Sequence, residues 1–430
     1  MRDITVLCLL FMAPAGIAQN SGEDAFRDAA TWTVQIRTSV SRPFAEDELG
    51  SWQGAGLVVD ERRGWVLTNA HVASRSYSNI SVSFRDGDPL PATRLYVDPH
   101  LDLAVIAYDA SRLERAPREP TLDCEGLPPV GHPVGAFGHP WGFRFTGTRG
   151  ITSAVTTRLG PNMLQTDAPI NAGNSGGPLI SLDTGRVVGV NAAKIADEEV
   201  EGISFAVPMP YACTIIALLK RGQDPSPPVR LVDFAVDEND EQTMVVARSR
   251  LPAGALDLRV GDKLTALNSP SRPIATESDL MDALRGNLND VSLTVLRGGD
   301  EITVEGSWPA AAKVTERRGL WVSGALFAES EPLTTGLIGG TTTLMVHYVE
   351  PGSEAESAAI NVIDLLVSAN GQSVDSLQAL ETIAAVAAEE EQPIDLLLLR
   401  LASNARDEFF VYQRRALPSS IVELVGPTAN

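Results

Sequence analysis

The sequence from residue 166 to residue 179 reads Thr166-Asp167-Ala168-Pro169-Ile170-Asn171-Ala172-Gly173-Asn174-Ser175-Gly176-Gly177-Pro178-Leu179, and it places one serine among three glycines. A serine hydroxyl becomes a useful nucleophile only when a base takes its proton and nearby donors stabilise the oxyanion that its attack creates. Glycines let the backbone fold tightly enough for such donors to converge. Gly173 and Asn174 therefore form the candidate oxyanion loop, with the N–H groups of Gly173 and Ser175 as donors. A glycine-rich turn with an incidental serine is the alternative, and a base and an acid elsewhere in the chain would exclude it.

The candidate base is one of five histidines, namely His71, His100, His132, His139 and His347. His71 lies where the apolar segment Trp65-Val66-Leu67 runs into the small-residue turn Asn69-Ala70-His71-Val72-Ala73, a good position for a base. His100, His132 and His139 lie in polar or proline-flanked loops, where solvated side chains are expected. His71 is therefore the predicted base.

The predicted acid is Asp102, which heads the apolar run Leu103-Ala104-Val105-Ile106-Ala107. A carboxylate in front of such a run is expected to be buried, and a buried carboxylate needs a buried partner such as an imidazole N–H. Asp98 is the alternative, although Pro99 follows it and its surroundings are more polar.

The chain order of these residues is His71, Asp102, Ser175, which is the order of chymotrypsin-type proteases and differs from that of subtilisins and α/β-hydrolases. Gly173 to Gly177 also reads G-x-S-x-G, but the nucleophile elbow of α/β-hydrolases needs a helix after the serine and a later histidine. Pro178 and the strand-like Leu179-Ile180 follow instead. The order therefore favours a chymotrypsin-type site.

Further segments agree with one family in the same order along the chain. They are Thr68-Asn69-Ala70-His71-Val72, Asp102-Leu103-Ala104-Val105, Gly138-His139-Pro140-Trp141-Gly142, Gly150-Ile151-Thr152-Ser153-Ala154, Gln165-Thr166-Asp167-Ala168, Gly173-Asn174-Ser175-Gly176-Gly177-Pro178 and Gly202-Ile203-Ser204-Phe205-Ala206-Val207-Pro208. In these segments the chain resembles the HtrA (Deg) family of trypsin-like serine proteases.

The resemblance implies a mainly β protein, in which a chymotrypsin-like double β-barrel protease domain is followed by two small PDZ-like α+β domains. It also implies a serine endopeptidase that degrades unfolded or damaged proteins and assembles into trimer-based homo-oligomers. The alternative is a protease-fold chaperone or peptide-binding scaffold with little proteolytic activity.

Residues 1–18 are predicted to be a signal peptide. Arg2 precedes the apolar run from Ile4 to Ala15, which is short for a bilayer span, and Gly16-Ile17-Ala18 is small at the two positions that a signal peptidase inspects. A short membrane anchor is the alternative. The mature protein is accordingly predicted to be periplasmic or secreted, without an integral membrane span.

Composition limits the other classes of function. The 430 residues carry a net charge of −21, and 44% of them are hydrophobic, which suits several globular domains. An acidic surface without a Lys/Arg cluster argues against nucleic acid as a partner. Cys124 and Cys213 are too few for a disulfide framework or, with dispersed histidines, for a zinc site, so no metal or cofactor is predicted. Whether the two cysteines pair stays open.

Many short strands with glycine and proline turns predict the protease domain over residues 19–222. Asp224-Pro225-Ser226-Pro227-Pro228 predicts a stiff linker, residues 223–229, because proline fixes φ. Beyond it, Val260–Asn268 matches Val362–Asn370, which indicates two domains of one kind over residues 230–309 and 313–403, followed by a C-terminal tail over residues 404–430.

The two repeats are similar to PDZ domains, whose sheet edge and glycine loop accept an extended peptide as an added strand. The second begins with a candidate carboxylate loop for peptide C-termini, Gly319, Leu320, Trp321 and Val322. The first has no glycine there and carries Asp233, which would repel a carboxylate. In the second, Ile363 replaces the glycine of the first. We expect peptide binding by the second repeat and weak binding by the first; structural spacers are the alternative.

The resemblance also implies where the side chain before the scissile bond is held. The predicted pocket residues are Ile170, Asn171, Ala172, Val190, Asn191, Ala192, Ala193 and Lys194. Proteases that select Arg and Lys have an acid six positions before the nucleophile, where this chain has Pro169. An unpaired buried charge is costly, so small aliphatic residues are the predicted preference, or acidic residues if Lys194 points inward.

Overall fold

The computed structural model describes residues 22–156, 162–194, 202–237, 240–268, 271–274, 276–329, 344–403, 408–419 and 422–426. The predicted signal peptide, residues 1–18, lies outside these ranges.

Six strands form the first barrel, after a helix α1 (Gly22–Trp32). They are β1 (Thr33–Val40), β2 (Gly50–Asp60), β3 (Trp65–Thr68), β4 (Ser78–Ser83), β5 (Leu90–Asp98) and β6 (Leu103–Tyr108), with a short helix α2 (Ala70–Ala73) after β3. The strands close in the order β1-β2-β3-β6-β5-β4. Leu57, Leu67 and Ile106 are fully buried in its core, because closing a sheet turns one face of every strand inward.

The second barrel repeats this plan. Its strands are β7 (Pro133–Gly138), β8 (Thr146–Thr156), β9 (Met163–Thr166), β10 (Pro178–Ser181), β11 (Val187–Lys194) and β12 (Ser204–Pro208), and a helix α3 (Met209–Lys220) follows. They close in the order β10-β11-β12-β9-β8-β7. Two closed six-stranded barrels confirm the predicted chymotrypsin-like architecture.

A disulfide joins the segment between the barrels to helix α3. Cys124 and Cys213 form it, with their Cα atoms 5.8 Å apart. The pairing that the sequence left open is therefore present in the structure, and it closes a loop that contains the whole second barrel.

Two α+β units follow the barrels, each a sheet covered by a helix. The first contains β13 (Val232–Asp237), β14 (Asp240–Ser249), β15 (Lys263–Asn268), β16 (Ser271–Pro273), α4 (Glu277–Leu284), β17 (Val291–Arg297) and β18 (Asp300–Gly306). The second contains β19 (Gly319–Val322), β20 (Ala325–Glu329), β21 (Leu344–Val349), α5 (Glu354–Ser357), β22 (Leu365–Ala369), β23 (Gln372–Ser373), α6 (Leu377–Glu389), β24 (Ile394–Ser403), β25 (Glu408–Leu417) and β26 (Val422–Val425).

The main path of the second sheet has the order β25-β24-β22-β21-β20-β19-β26. This sheet continues past residue 403, where the sequence suggested a tail: β25 pairs with β24 along all ten of its residues, and β26 pairs with β19. Residues 408–417 and 422–425 are thus part of the second unit.

The repeat noticed in the sequence has a structural cause. In the first unit the buried carboxylate of Asp262 lies 2.7 Å from Arg297, the last residue of β17. In the second unit the buried carboxylate of Asp364 lies 2.6 Å from Arg400, on the equivalent strand β24. Each aspartate thus has the guanidinium that a buried charge requires.

The proline-rich part of the predicted linker is buried rather than extended through solvent. Residues 225–228 have little exposed surface, because the first α+β unit packs against the first barrel at this point. The side chain of Arg285, just after α4, lies 2.6 Å from the carboxylate of Asp98 at the end of β5, and both side chains are 0% exposed. The same guanidinium donates to the carbonyl of Pro225 at 2.6 Å and to the Tyr96 hydroxyl at 3.1 Å.

The second unit contacts the first barrel through the connection between β1 and β2. Phe44 is buried there against Trp321 and Leu326. Glu46 forms an ion pair with Arg317 at 2.9 Å, and the backbone N–H of Ala45 donates to Nδ1 of His347 at 3.2 Å. We call residues 41–47 the docking loop.

Candidate active site

The base and the acid chosen from the sequence lie side by side. His71 is on α2, and its Nδ1 lies 2.7 Å from Oδ2 of Asp102, while Oδ1 of Asp102 accepts the backbone N–H of His71 at 3.0 Å. The backbone carbonyl of Asp102 accepts the N–H of Ala70 at 3.1 Å and the side-chain amide of Asn69 at 2.9 Å. One aspartate thus fixes both the imidazole and the short helix that carries it, and Nε2 is left as the basic nitrogen.

Asp98, the alternative acid, has a different role. Its carboxylate accepts the N–H of Leu101 at 2.9 Å and the Tyr96 hydroxyl at 3.0 Å, and it pairs with Arg285. These partners belong to the interface with the first α+β unit. Asp98 is fully buried, and these three partners make its surroundings polar. The burial that the sequence predicted for Asp102 is found at Asp98 instead, since the Asp102 side chain is 30% exposed.

Ser175 is held between the two barrels. The carbonyl of Ser175 accepts the N–H of Ala55 on β2 at 2.8 Å, while the N–H of Gly176 donates to the backbone carbonyl of Asn191 on β11 at 2.8 Å. Gly176 has φ +82°, and a Cβ there would collide with the Ala55 carbonyl and the Thr68 hydroxyl. The glycine is therefore what lets the serine turn cross from the second barrel onto the first.

The Ser175 hydroxyl is half-buried and donates to the carbonyl of Ala192 at 3.2 Å. Within the described residues it forms no hydrogen bond with His71. Catalytic hydrogen bonds are often long before substrate binds, and rotation about one side-chain bond redirects a serine hydroxyl.

The backbone around Gly173 leaves two N–H groups available. The carbonyl of Ala172 accepts the N–H of Trp141 at 3.0 Å, and the carbonyl of Asn174 accepts the N–H of Gly177 at 3.0 Å. In a trans peptide the N–H points opposite to its carbonyl, so the N–H groups of Gly173 and Ser175 face away from these contacts. Neither N–H has an acceptor among the described residues, as an oxyanion site requires.

Asn174 does not supply a third donor in this conformation. Its backbone N–H donates to the carbonyl of Asn171 at 2.9 Å, and its side chain is fully buried. The turn from Asn171 to Asn174 has Gly173 at φ +104°, where a Cβ would collide with the carbonyl of His139.

His139 is a site residue that sequence reasoning missed. It is 0% exposed, contrary to the solvated loop expected for it. Its backbone N–H donates to the carbonyl of Gly173 at 3.0 Å, and its Nδ1 accepts the N–H of Phe145 at 3.0 Å. Burial lowers the pKa of His139 to about 4, so the ring is a neutral support beneath the oxyanion loop. In the sequence, His139 lies in the segment Gly138-His139-Pro140-Trp141-Gly142. That segment supported the family resemblance but did not identify His139 as part of the site.

The predicted pocket residues differ in how far they are exposed at the site. Val190 and Asn191 have no exposed surface, and the Asn191 side chain donates to the carbonyl of Pro178 at 3.0 Å. These two residues therefore support the site from the barrel interior. Ile170 and Ala192 are nearly buried beside the serine turn, whereas Asn171 is half-buried and Ala172 is exposed. The side chains of Ala193 and Lys194 lie outside the described part of the structure.

The candidate carboxylate loop of the second unit is not an open loop. Gly319, Leu320, Trp321 and Val322 form strand β19, all four residues are buried, and both edges of the strand are paired. In the first unit, Asp233 is neutralised by Arg250 at 2.9 Å, so it is not the free repelling charge that the sequence suggested.

Neither a metal cluster nor a membrane-spanning helix is found in the part of the chain that the structure describes.

Comparisons with known proteins agree with this geometry. Residues 54–190 match the family model described as a trypsin-like peptidase domain. The chain is 32% identical over 372 residues to a probable periplasmic serine endoprotease DegP-like from Halomonas elongata, which covers 80% of this chain and 76% of the relative. It is 31% identical over 290 residues to the serine protease Do-like HtrA of Lactococcus lactis, covering 59% of this chain and 70% of that one.

Solved structures give the same result. The HtrA-type protease AlgW with a tripeptide aligns at a TM-score of 0.55 and 27% identity, over 68% of this chain and 98% of that one. A serine endoprotease from Yersinia pestis aligns at a TM-score of 0.50 and 28% identity, over the same shares.

Proposed function

Because the chain belongs to the HtrA family of serine endoproteases, with periplasmic DegP-like relatives, we propose that His71, Asp102 and Ser175 are its catalytic triad. The observation that carries this proposal is the pair of contacts between Asp102 and His71, at 2.7 Å to the ring and 3.0 Å to the backbone. They set the tautomer in which Nδ1 holds the proton and Nε2 can accept one.

In the proposed reaction, His71 Nε2 takes the Ser175 proton as Oγ attacks the scissile carbonyl. The carbonyl oxygen becomes an oxyanion, which the N–H groups of Gly173 and Ser175 stabilise. His71 then gives the proton to the leaving amine, and the carboxylate of Asp102 stabilises the imidazolium in between. A water activated in the same way releases the acyl group from Ser175.

The proposed substrates are unfolded or misfolded polypeptides, cut after small aliphatic residues. Ile170 and Ala192 give the region beside the serine turn an apolar character, and Pro169 stands where an Arg-selecting enzyme has an acid. Each methylene that such a pocket buries contributes about 0.8 kcal/mol. Mass spectrometry of fragments tests this: cuts concentrated after Arg and Lys would refute the apolar pocket, and cuts after Asp and Glu would indicate that Lys194 lines it.

Digestion of unfolded casein tests the triad. His71→Ala, Asp102→Asn and Ser175→Ala should each lower kcat by roughly 10⁴-fold, because the three groups act as a unit. His132→Ala is the matched control, since this half-buried histidine bonds to Ser181 at 2.8 Å, outside the proposed triad. Normal turnover in Ser175→Ala would refute the triad, whereas absence of casein cleavage by the parent chain would favour the alternative, a chaperone or scaffold. Normal turnover in Asp102→Asn would refute the role of Asp102.

We further propose that the two α+β units, residues 230–309 and 313–403 with the added strands, are PDZ-like, and that the second recognises peptides while the first binds them weakly. Their support is the shared plan of a sheet and one covering helix, together with the resemblance. Cleavage of a signal peptide after Ala18 and trimer-based assembly also remain proposals. N-terminal sequencing of the mature protein and sedimentation velocity test them.

A further inference from the structure

Strand β26 (Val422–Val425) occupies the edge of β19 (Gly319–Val322), the strand that the sequence singled out for peptide binding. The two strands are antiparallel, with Gly319 opposite Val425 and Val322 opposite Val422. Since β20 pairs with the other edge of β19, β26 is the outermost strand at this end of the sheet. The site where a peptide would add is therefore already filled by the chain itself.

The side chains of β26 alternate as those of an added peptide do. Val422 and Leu424 are half-buried and pack against the core of the second unit, whereas Glu423 between them is exposed. Helix α6 contacts both β19 and β26, so the segment lies in a groove formed by a sheet edge and a helix. This combination of backbone pairing and alternate side-chain contacts is how proteins recognise extended peptides.

The occupied edge is also connected to the protease unit. Glu423 pairs with Arg42 of the docking loop at 2.7 Å, and the Arg42 guanidinium lies 4.4 Å from the centre of the Trp321 ring. In the same loop, Oδ2 of Asp47 accepts the backbone N–H groups of Arg75 at 2.8 Å and Ser76 at 2.7 Å.

These two residues follow α2, which carries His71. The segment on the edge of β19 is thus joined to the helix of the proposed base by one short loop of the first barrel.

We propose that residues 422–425 are an intramolecular ligand of the second α+β unit, which an extended peptide with apolar residues at alternate positions displaces. The inference rests on the proposed peptide-binding role of that unit. A strand of four residues makes few hydrogen bonds, each of modest net value, and the paired segment can therefore exchange with a competing peptide.

A fluorescent peptide that copies residues 418–426 tests the proposal. Its binding is measured by anisotropy to the whole chain carrying Ser175→Ala, which prevents cleavage, and to the same chain ended at Ser419. The tethered segment acts at an effective concentration on the order of 1 mM, so a peptide with a dissociation constant of about 100 μM should bind the intact chain roughly tenfold more weakly. Equal affinity for both chains, or binding to neither, overturns the proposal.

A second variant guards against misfolding of the shortened chain. Val422→Asp with Leu424→Asp keeps the full length but places charges on the inward face, and it should bind the peptide as the shortened chain does. Leu401→Asp with Phe410→Asp is the matched control, because it places two charges on exposed positions of β24 and β25, at the opposite end of the same sheet, and should bind the peptide as weakly as the parent chain. Peptide affinity in Val422→Asp/Leu424→Asp equal to that of the control overturns the proposal.

Hydrogen exchange gives an independent readout. Those amides of residues 319–322 that face β26 should lose protection when residues 420–430 are removed and regain it when the peptide is added in excess, whereas those that face β20 should stay protected. Unchanged protection after removal contradicts the proposal. The casein assay with Ser175 intact reports on the triad separately, so a failed triad and a failed intramolecular ligand give different results.

Discussion

The ion pair between Arg285 and Asp98 should be the most sensitive contact between the protease unit and the first α+β unit. Both side chains are 0% exposed and 2.6 Å apart. Replacing Arg285 by methionine keeps much of the side-chain volume but leaves the Asp98 carboxylate buried without its counter-charge. It also removes the donor to the Pro225 carbonyl. Removing one partner of a buried pair costs about 3–5 kcal/mol, so we expect Arg285→Met to destabilise the chain by that amount.

Urea unfolding, followed by tryptophan fluorescence in chains carrying Ser175→Ala to prevent self-digestion, measures this cost. Arg230→Met is the matched control, because Arg230 pairs with Glu277 at 2.9 Å in the same unit but is 53% exposed. Such surface pairs contribute about 1 kcal/mol or less. A cost for Arg285→Met no larger than that of the control would refute the reasoning.

A double-mutant cycle isolates the pair from other effects of the substitution. Asp98→Asn combined with Arg285→Met removes both charges, and the double variant should be less destabilised than the sum of the two single variants, by about 2 kcal/mol or more. Strict additivity would show that the two groups do not interact.

Three further outcomes are expected. Burial, with the neighbouring charge of Arg317, lowers the pKa of His347 to about 4. The folded state therefore favours the neutral ring, so stability should be full above pH 6.5, fall as the pH drops towards 4 and be about 2 kcal/mol lower at pH 5. His347→Gln should abolish this dependence in urea titrations, and a dependence that persists in that variant would contradict the role of His347. Ile363 has φ +75° where the first unit has Gly261 at +91°, and a positive φ strains a β-branched residue. Ile363→Gly should therefore raise the free energy of unfolding by about 1 kcal/mol, and Gly261→Ile should lower it. A lower stability of Ile363→Gly would contradict this explanation. The disulfide spans a sequence separation of 89 residues; Cys124→Ala with Cys213→Ala should cost about 4 kcal/mol in calorimetry, and an unchanged melting temperature would contradict its stabilising role.

Sequence patterns predicted the parts of the site that depend on local motifs. The serine turn, the histidine after β3 and the aspartate before β6 each lie within a short segment whose glycines or apolar residues specify the geometry. The chain order of the three indicated a chymotrypsin-type site, and the resemblance to the HtrA family implied the two barrels.

Contacts between distant segments were not predictable in this way. The segment around Asp98 looked polar, and nothing in it indicated that the residue is fully buried against Arg285, which lies in another unit. His139 looked like a loop histidine next to a proline, but the oxyanion loop covers it. The pairing of β26 with β19 joins two short, mainly apolar segments about a hundred positions apart, and a short apolar run does not specify which strand it pairs with.

The docking loop also affects whether the protease unit can be separated from the two C-terminal units. A fragment ended at residue 222 would expose Phe44, which is 1% exposed in the whole chain, and would leave the carboxylates of Asp98 and Glu46 without Arg285 and Arg317. Such a fragment would present a fresh apolar surface to other molecules and be prone to aggregate. An exchange of the C-terminal units between relatives would therefore give a folded protein only if the docking loop was exchanged together with Arg285 and Arg317.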